Sequence, residues 1–122
     1  MTIGHVTADG HPQIQIIVEG SDDETHAVEA LLDTGFNGGL ALPAERIAAL
    51  GLKRRGQVTA VLASGEERNV PTYRATVQVG GTRHSAVVAE AGEPLVGMAL
   101  LRGFELRIQC IDGWQVDLEH LS

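Results

Sequence analysis

A chain of 122 residues, 43% hydrophobic and 20% charged, has the size and composition of one globular domain, residues 1–122, with a single core. Its net charge of −7 and its 3% aromatic content argue against a nucleic-acid partner, because an acidic surface repels phosphate and few rings are present to stack on bases. No run of about 18 apolar residues predicts a membrane span, no basic-then-apolar N-terminus predicts a signal peptide, and the single cysteine, Cys110, suits a reducing cytoplasm.

Gln13 to Val18 begins with apolar–polar alternation and reads as a half-buried strand. The acidic loop Gly20-Ser21-Asp22-Asp23-Glu24 then connects it to a second strand, His26 to Leu32. That strand ends at Asp33-Thr34-Gly35. Leu40-Ala41-Leu42 is a short buried strand. Pro43 stands where a helix begins, Ala44 to Leu50 has helical composition, and Gly51 is placed to end it.

Gln57 to Leu62 and Arg68 to Val79 flank the polar tip Ala63-Ser64-Gly65-Glu66-Glu67 and predict a long hairpin, with Pro71 interrupting the second run or marking an edge. Val79-Gly80-Gly81-Thr82 predicts a two-residue turn into a strand from Arg83 to Ala89. Leu95-Val96 is a short strand ending at Gly97, and Met98 to Arg102 is a short helix. Leu106 to Ile111 and Trp114 to Leu118 flank Asp112-Gly113, a type I′ hairpin signal. The sum is a β-rich domain of about eight strands with one or two short helices.

The chemistry concentrates at Asp33-Thr34-Gly35. A strand that stops at a carboxylate, a hydroxyl and a glycine holds an aspartate at a tight turn, where it can act as acid or base on water. Asp-x-Gly after a strand is also ordinary turn chemistry, so the triplet alone leaves both readings open. A calcium loop starting at Asp33 is excluded, since its third and twelfth positions are Gly35 and Ala44 rather than oxygen ligands. The five histidines include no HxxxH or HExxH spacing, so no metal site is expected. No G-x-S-x-G surrounds Ser64. Cys110, in the strand Leu106 to Ile111, reads as a buried structural thiol. Phe104 and Trp114 read as core or interface residues.

Asp33-Thr34-Gly35-Phe36-Asn37-Gly38, followed far downstream by Leu95-Val96-Gly97-Met98, resembles the retropepsin-like aspartic proteases and, more closely, their small prokaryotic single-domain relatives. The likeness runs from about Gln13 to Glu119 in motif order. It implies an all-β fold, a closed acid-protease barrel with one or two short helices, and no cofactor. It implies Asp33 as the catalytic aspartate. Thr34 would join two active-site loops across a dimer axis, and Gly35 would bring its N–H to the carboxylate. Leu95, Val96 and Gly97 would support the loop, and Ser64-Gly65 would tip a flap over substrate. Retroviral members usually carry Ala or Ser where this chain has Phe36, which bears on the shape of the subsites.

Two carboxyls must share a proton for one to activate water while the other protonates a carbonyl oxygen. The chain has one triplet, so the expected enzyme is a homodimer acting on an extended peptide or protein substrate. The competing expectation is a peptide-binding or assembly module of the same fold without turnover.

Overall fold

The computed structural model describes residues 1–121. Ten strands and two helices follow in order: β1 (Thr2–Val6), β2 (Pro12–Glu19), β3 (Thr25–Leu32), β4 (Leu40–Leu42), α1 (Ala44–Leu50), β5 (Lys53–Val61), β6 (Glu67–Val79), β7 (Thr82–Glu90), β8 (Leu95–Val96), α2 (Met98–Leu101), β9 (Phe104–Ile108) and β10 (Gln115–His120). All strands join one mixed sheet, ordered β5-β6-β7-β4-β8-β3-β2-β1-β10-β9.

An additional pairing, β2 with β6, returns the sheet on itself. Two strands make this possible by dividing an edge between partners. β2 pairs with β1 over Pro12–Ile14 and with β6 over Ile17–Glu19, while β3 runs along its other side. β6 in turn pairs with β5 up to Arg74 and with β2 from Thr76. The circuit β6-β7-β4-β8-β3-β2 surrounds the apolar core.

The core follows from strand alternation. Ile14, Ile16 and Val18 of β2 and Val28, Ala30 and Leu32 of β3 are buried, with Ala75, Val77, Val79 and Val88 facing them from β6 and β7. Each fully buried Val or Ile contributes about 1.5–3 kcal/mol relative to exposure. Ile47 and Leu50 of α1 and Leu100 and Leu101 of α2 complete the cluster. Helix α1 starts after Pro43 and ends where Gly51 turns left-handed and donates to the Ala48 and Ile47 carbonyls, as its composition predicts.

The Gly80-Gly81 turn has both residues at positive φ, 57° and 82°, the type I′ geometry that only glycine adopts without strain. The Asp112-Gly113 turn forms, closed by the Trp114 N–H donating to the Ile111 carbonyl at 2.9 Å, but it is not the type I′ turn expected. Only Gly113 has positive φ, and the strand ladder ends where the Gln109 N–H donates to the Gln115 carbonyl, short of the turn. Strand β9 therefore stops at Ile108, not Ile111. Cys110 falls in that loop and is exposed, so it is not the buried thiol expected. Strand β1 was not predicted at all. Thr2–Val6 carries no clear alternation and is a strand because β2 and β10 flank it. Pro71 lies in β6 one residue before its pairing with β7 begins at Thr72, a place where a missing N–H costs least.

Candidate active site

Asp33 is delivered by β3, whose last two residues pair in parallel with β8: Leu31 with Leu95 and Leu32 with Val96. The Asp33 N–H donates to the Val96 carbonyl at 2.9 Å, which fastens the aspartate to the end of β8. The chain then turns back, with the Phe36 N–H donating to the Asp33 carbonyl at 3.1 Å. The Gly35 N–H donates to Asp33 Oδ1 at 2.9 Å. A Cβ on Gly35 would stand 3.2 Å from that oxygen, so a side chain there would crowd the carboxylate. Asp33 is half-buried, and Thr34 and Gly35 are exposed.

The loop is anchored a second time, on α2. The N–H groups of Gly97, Met98 and Ala99 donate to the carbonyls of Gly39, Phe36 and Gly38 at 2.9, 2.9 and 3.1 Å. A helix leaves its first N–H groups without internal partners, and here the loop after Asp33 takes them. Contact this close requires glycine at position 97, although its φ of −105° suits any residue. A Cβ there would lie 2.6 Å from both Phe36 Cδ2 and the Phe36 carbonyl oxygen. The Phe36 ring also covers Gly38, where a Cβ would come within 2.6 Å of Cε1.

Phe36 is thus the residue whose role sequence reasoning missed. It braces the loop from Asp33 to Gly39 against the start of α2, and its sequence signal is an aromatic followed by Asn37-Gly38-Gly39 and matched by Gly97. Val96, fully buried, sits beneath this contact between β3 and β4. The structure therefore brings Leu95, Val96 and Gly97 together with the segment Asp33-Thr34-Gly35.

Ser64 and Gly65 lie elsewhere, at the tip of the β5–β6 hairpin. The Gly65 N–H closes a turn onto the Leu62 carbonyl, and the Glu66 N–H reaches the Ser64 hydroxyl. The outer hairpin is exposed on both strands, and Val58, Val61 and Leu62 stand in solvent.

A cavity of about 380 Å³ is lined by Glu19, Asp23, Lys53, Arg74, Thr76 and Ser85 among others, and the triplet is not part of it.

A family model described as aspartyl protease matches residues 14–103. The chain belongs to the aspartyl protease family. Within its match fall the Asp33 triplet, the β5–β6 hairpin and the Leu95-Val96-Gly97 segment. Among solved structures, this aspartyl protease family member resembles EIAV protease in complex with the inhibitor HBY-793, at 19% identity and a TM-score of 0.60 over 78% of this chain and 88% of that one. The likeness is of fold: β-rich, with two short helices, and retropepsin-like. No curated protein matches the chain.

One cluster of possible metal ligands exists among the described residues. Asp22, Glu24 and His26 offer ligand atoms within 4.8 Å of one another, at the opposite end of β3 from Asp33. The Glu24 N–H donates to Asp22 Oδ1 and, with His26 nearby, holds the Asp22 carboxyl below its usual range. Both carboxylates are exposed, and Asp22's takes part in the turn that joins β2 to β3 by accepting from the Glu24 N–H.

Proposed function

We propose that this protein is an aspartic endopeptidase that works as a homodimer, with Asp33 of two chains side by side on a two-fold axis. The observation that carries this reading is the seating of Asp33. Its backbone is fixed to β8, its carboxylate is held by the Gly35 N–H, and its loop is locked to α2 through Phe36 and Gly97. A rigid, half-exposed carboxylate suits proton transfer, because pre-set geometry removes the cost of ordering it at each turnover. The exposed Thr34 beside it is free to meet its counterpart.

In the dimer, one Asp33 is ionised and takes a proton from water as the oxygen attacks the peptide carbonyl. The other, protonated, gives its proton to the carbonyl oxygen. The tetrahedral diol then collapses, the C–N bond breaks, and the amine leaves with a proton returned from the dyad. Two neighbouring carboxyls supply both protonation states because they cannot both ionise easily. The β5–β6 hairpin serves as the flap, holding an extended peptide by strand-like backbone bonds. The single cysteine supports a cytoplasmic setting.

The test is cleavage of an unfolded protein substrate between about pH 4 and 7, the range in which carboxyl dyads titrate. Asp33→Asn should abolish cleavage while keeping the melting temperature close to that of the parent. Active fractions should sediment as dimers. An unchanged rate in the variant, or full activity from a monomer, would refute the reading.

A further inference from the structure

Charge is spread unevenly over this chain. The hairpin from Lys53 to Arg74 carries five of the nine cations, Lys53, Arg54, Arg55, Arg68 and Arg74. It holds two of the sixteen carboxylates, Glu66 and Glu67, both near its tip. The hairpin is thus +3 within a chain of −7, and everything outside it is −10. All five cations are exposed. None forms an ion pair among the described residues, where the pairs use the Met1 ammonium, His26, Arg83 and Arg107.

The register makes this costly. Lys53 and Arg74 are direct cross-strand partners, and like charges opposite each other in a sheet are destabilising. Arg54 and Arg55 sit at an irregularity in the same ladder, crowding two more cations into the hairpin's base. Charged side chains on an outer strand also deter edge-to-edge aggregation. Edge protection does not account for Arg74, which lies on β6 between β5 and β7. Strand β5 is the outermost strand of the sheet, so its outer backbone groups pair with no other strand.

We propose that the β5–β6 hairpin selects acidic, extended polypeptide segments, which add as a strand along β5 with their carboxylates against Lys53, Arg54, Arg55, Arg68 and Arg74. The inference names the substrate class for the peptidase reading and rests on the hairpin being its flap. A short acidic segment meets the hairpin's positive field locally. A long polyanion such as nucleic acid also meets the −10 remainder and is repelled.

The experiment uses full-length Asp33→Asn protein and fluorescence anisotropy. One labelled peptide alternates Asp and Glu with apolar residues, and its control replaces each acid with Asn or Gln. The acidic peptide should bind roughly tenfold tighter at low salt, and the preference should shrink as the Debye length falls below about 10 Å. The preference should be lost in Arg54→Glu/Arg55→Glu and, independently, in Arg68→Glu/Arg74→Glu. All four positions are exposed, so both variants are expected to fold.

Equal affinity for the two peptides overturns the inference, as does a preference that survives both reversals. Tighter binding of single-stranded DNA of equal charge would also overturn it. So would salt-sensitive self-association that the acidic peptide fails to compete, since that gives the surface to a second copy. Cleavage by the parent separates the two proposals. Asp33-dependent cleavage of both peptides with no difference in affinity leaves the peptidase reading standing and this one refuted. Charge-dependent binding without cleavage does the reverse.

Discussion

Gly97→Ala tests whether the seating of Asp33 depends on the close approach of the Phe36 loop to α2. The new methyl would lie 2.6 Å from Phe36 Cδ2 and from the Phe36 carbonyl, where ordinary contact begins near 3.4 Å. Backbone strain is not involved, because φ at this position is −105°. The clash should cost about 1–3 kcal/mol as overpacking. Relief by moving the loop weakens the Gly97-to-Gly39 and Met98-to-Phe36 hydrogen bonds, each worth about 0.5–1.5 kcal/mol. Replacing glycine stiffens the unfolded chain and returns about 0.4–1 kcal/mol. The net loss is about 1–5 kcal/mol, a fall in melting temperature of roughly 4–20 °C for a domain of this size.

The control is Gly92→Ala, the same chemical change where a Cβ meets nothing within 4 Å, and it should leave the melt within about 1 kcal/mol. Calorimetry reads the melts, and amide exchange at Gly35 and Phe36 reads the loop. A Gly97→Ala protein that melts with the parent and keeps those amides protected would refute the close-packing argument.

The remaining expectations follow from burial and charge. Leu42→Ala removes a fully buried side chain from β4, beside α1, and should cost about 2–5 kcal/mol by denaturant titration. Asp22→Asn probes the acidic turn. The Glu24 N–H and then His26 hold the Asp22 carboxyl below its usual 3.8, so its stabilising contribution is complete above that value and disappears as pH falls through the lowered one. Parent and variant should therefore differ in melting temperature near neutrality, with the parent higher, and converge in acid. A gap that widens toward low pH would contradict the assignment.

How much of this molecule was legible beforehand depended on the range of the interactions involved. The helix from Ala44 to Leu50, the Gly80-Gly81 turn and the strand ending at Asp33 all appeared where expected, because alternation, capping and positive-φ demands act over a few residues. The candidate site was legible as a motif, Asp33-Thr34-Gly35 with Leu95-Val96-Gly97 downstream. Asp112-Gly113 turns as its residues predict but not as type I′, and the ladder stops short of it, which leaves Cys110 outside β9 and exposed. Strand β1 escaped notice because its partners, β2 and β10, define it rather than its own pattern.

By itself, then, the sequence determined the local elements, the turn chemistry and a single carboxylate at the end of a strand. Tertiary structure decided what surrounds that carboxylate. Hydrogen bonds from α2 to the loop, a phenyl ring laid over two glycines and a sheet joined through β2 and β6 link residues dozens of positions apart. No local pattern encodes such contacts, since each depends on where distant segments settle against one core.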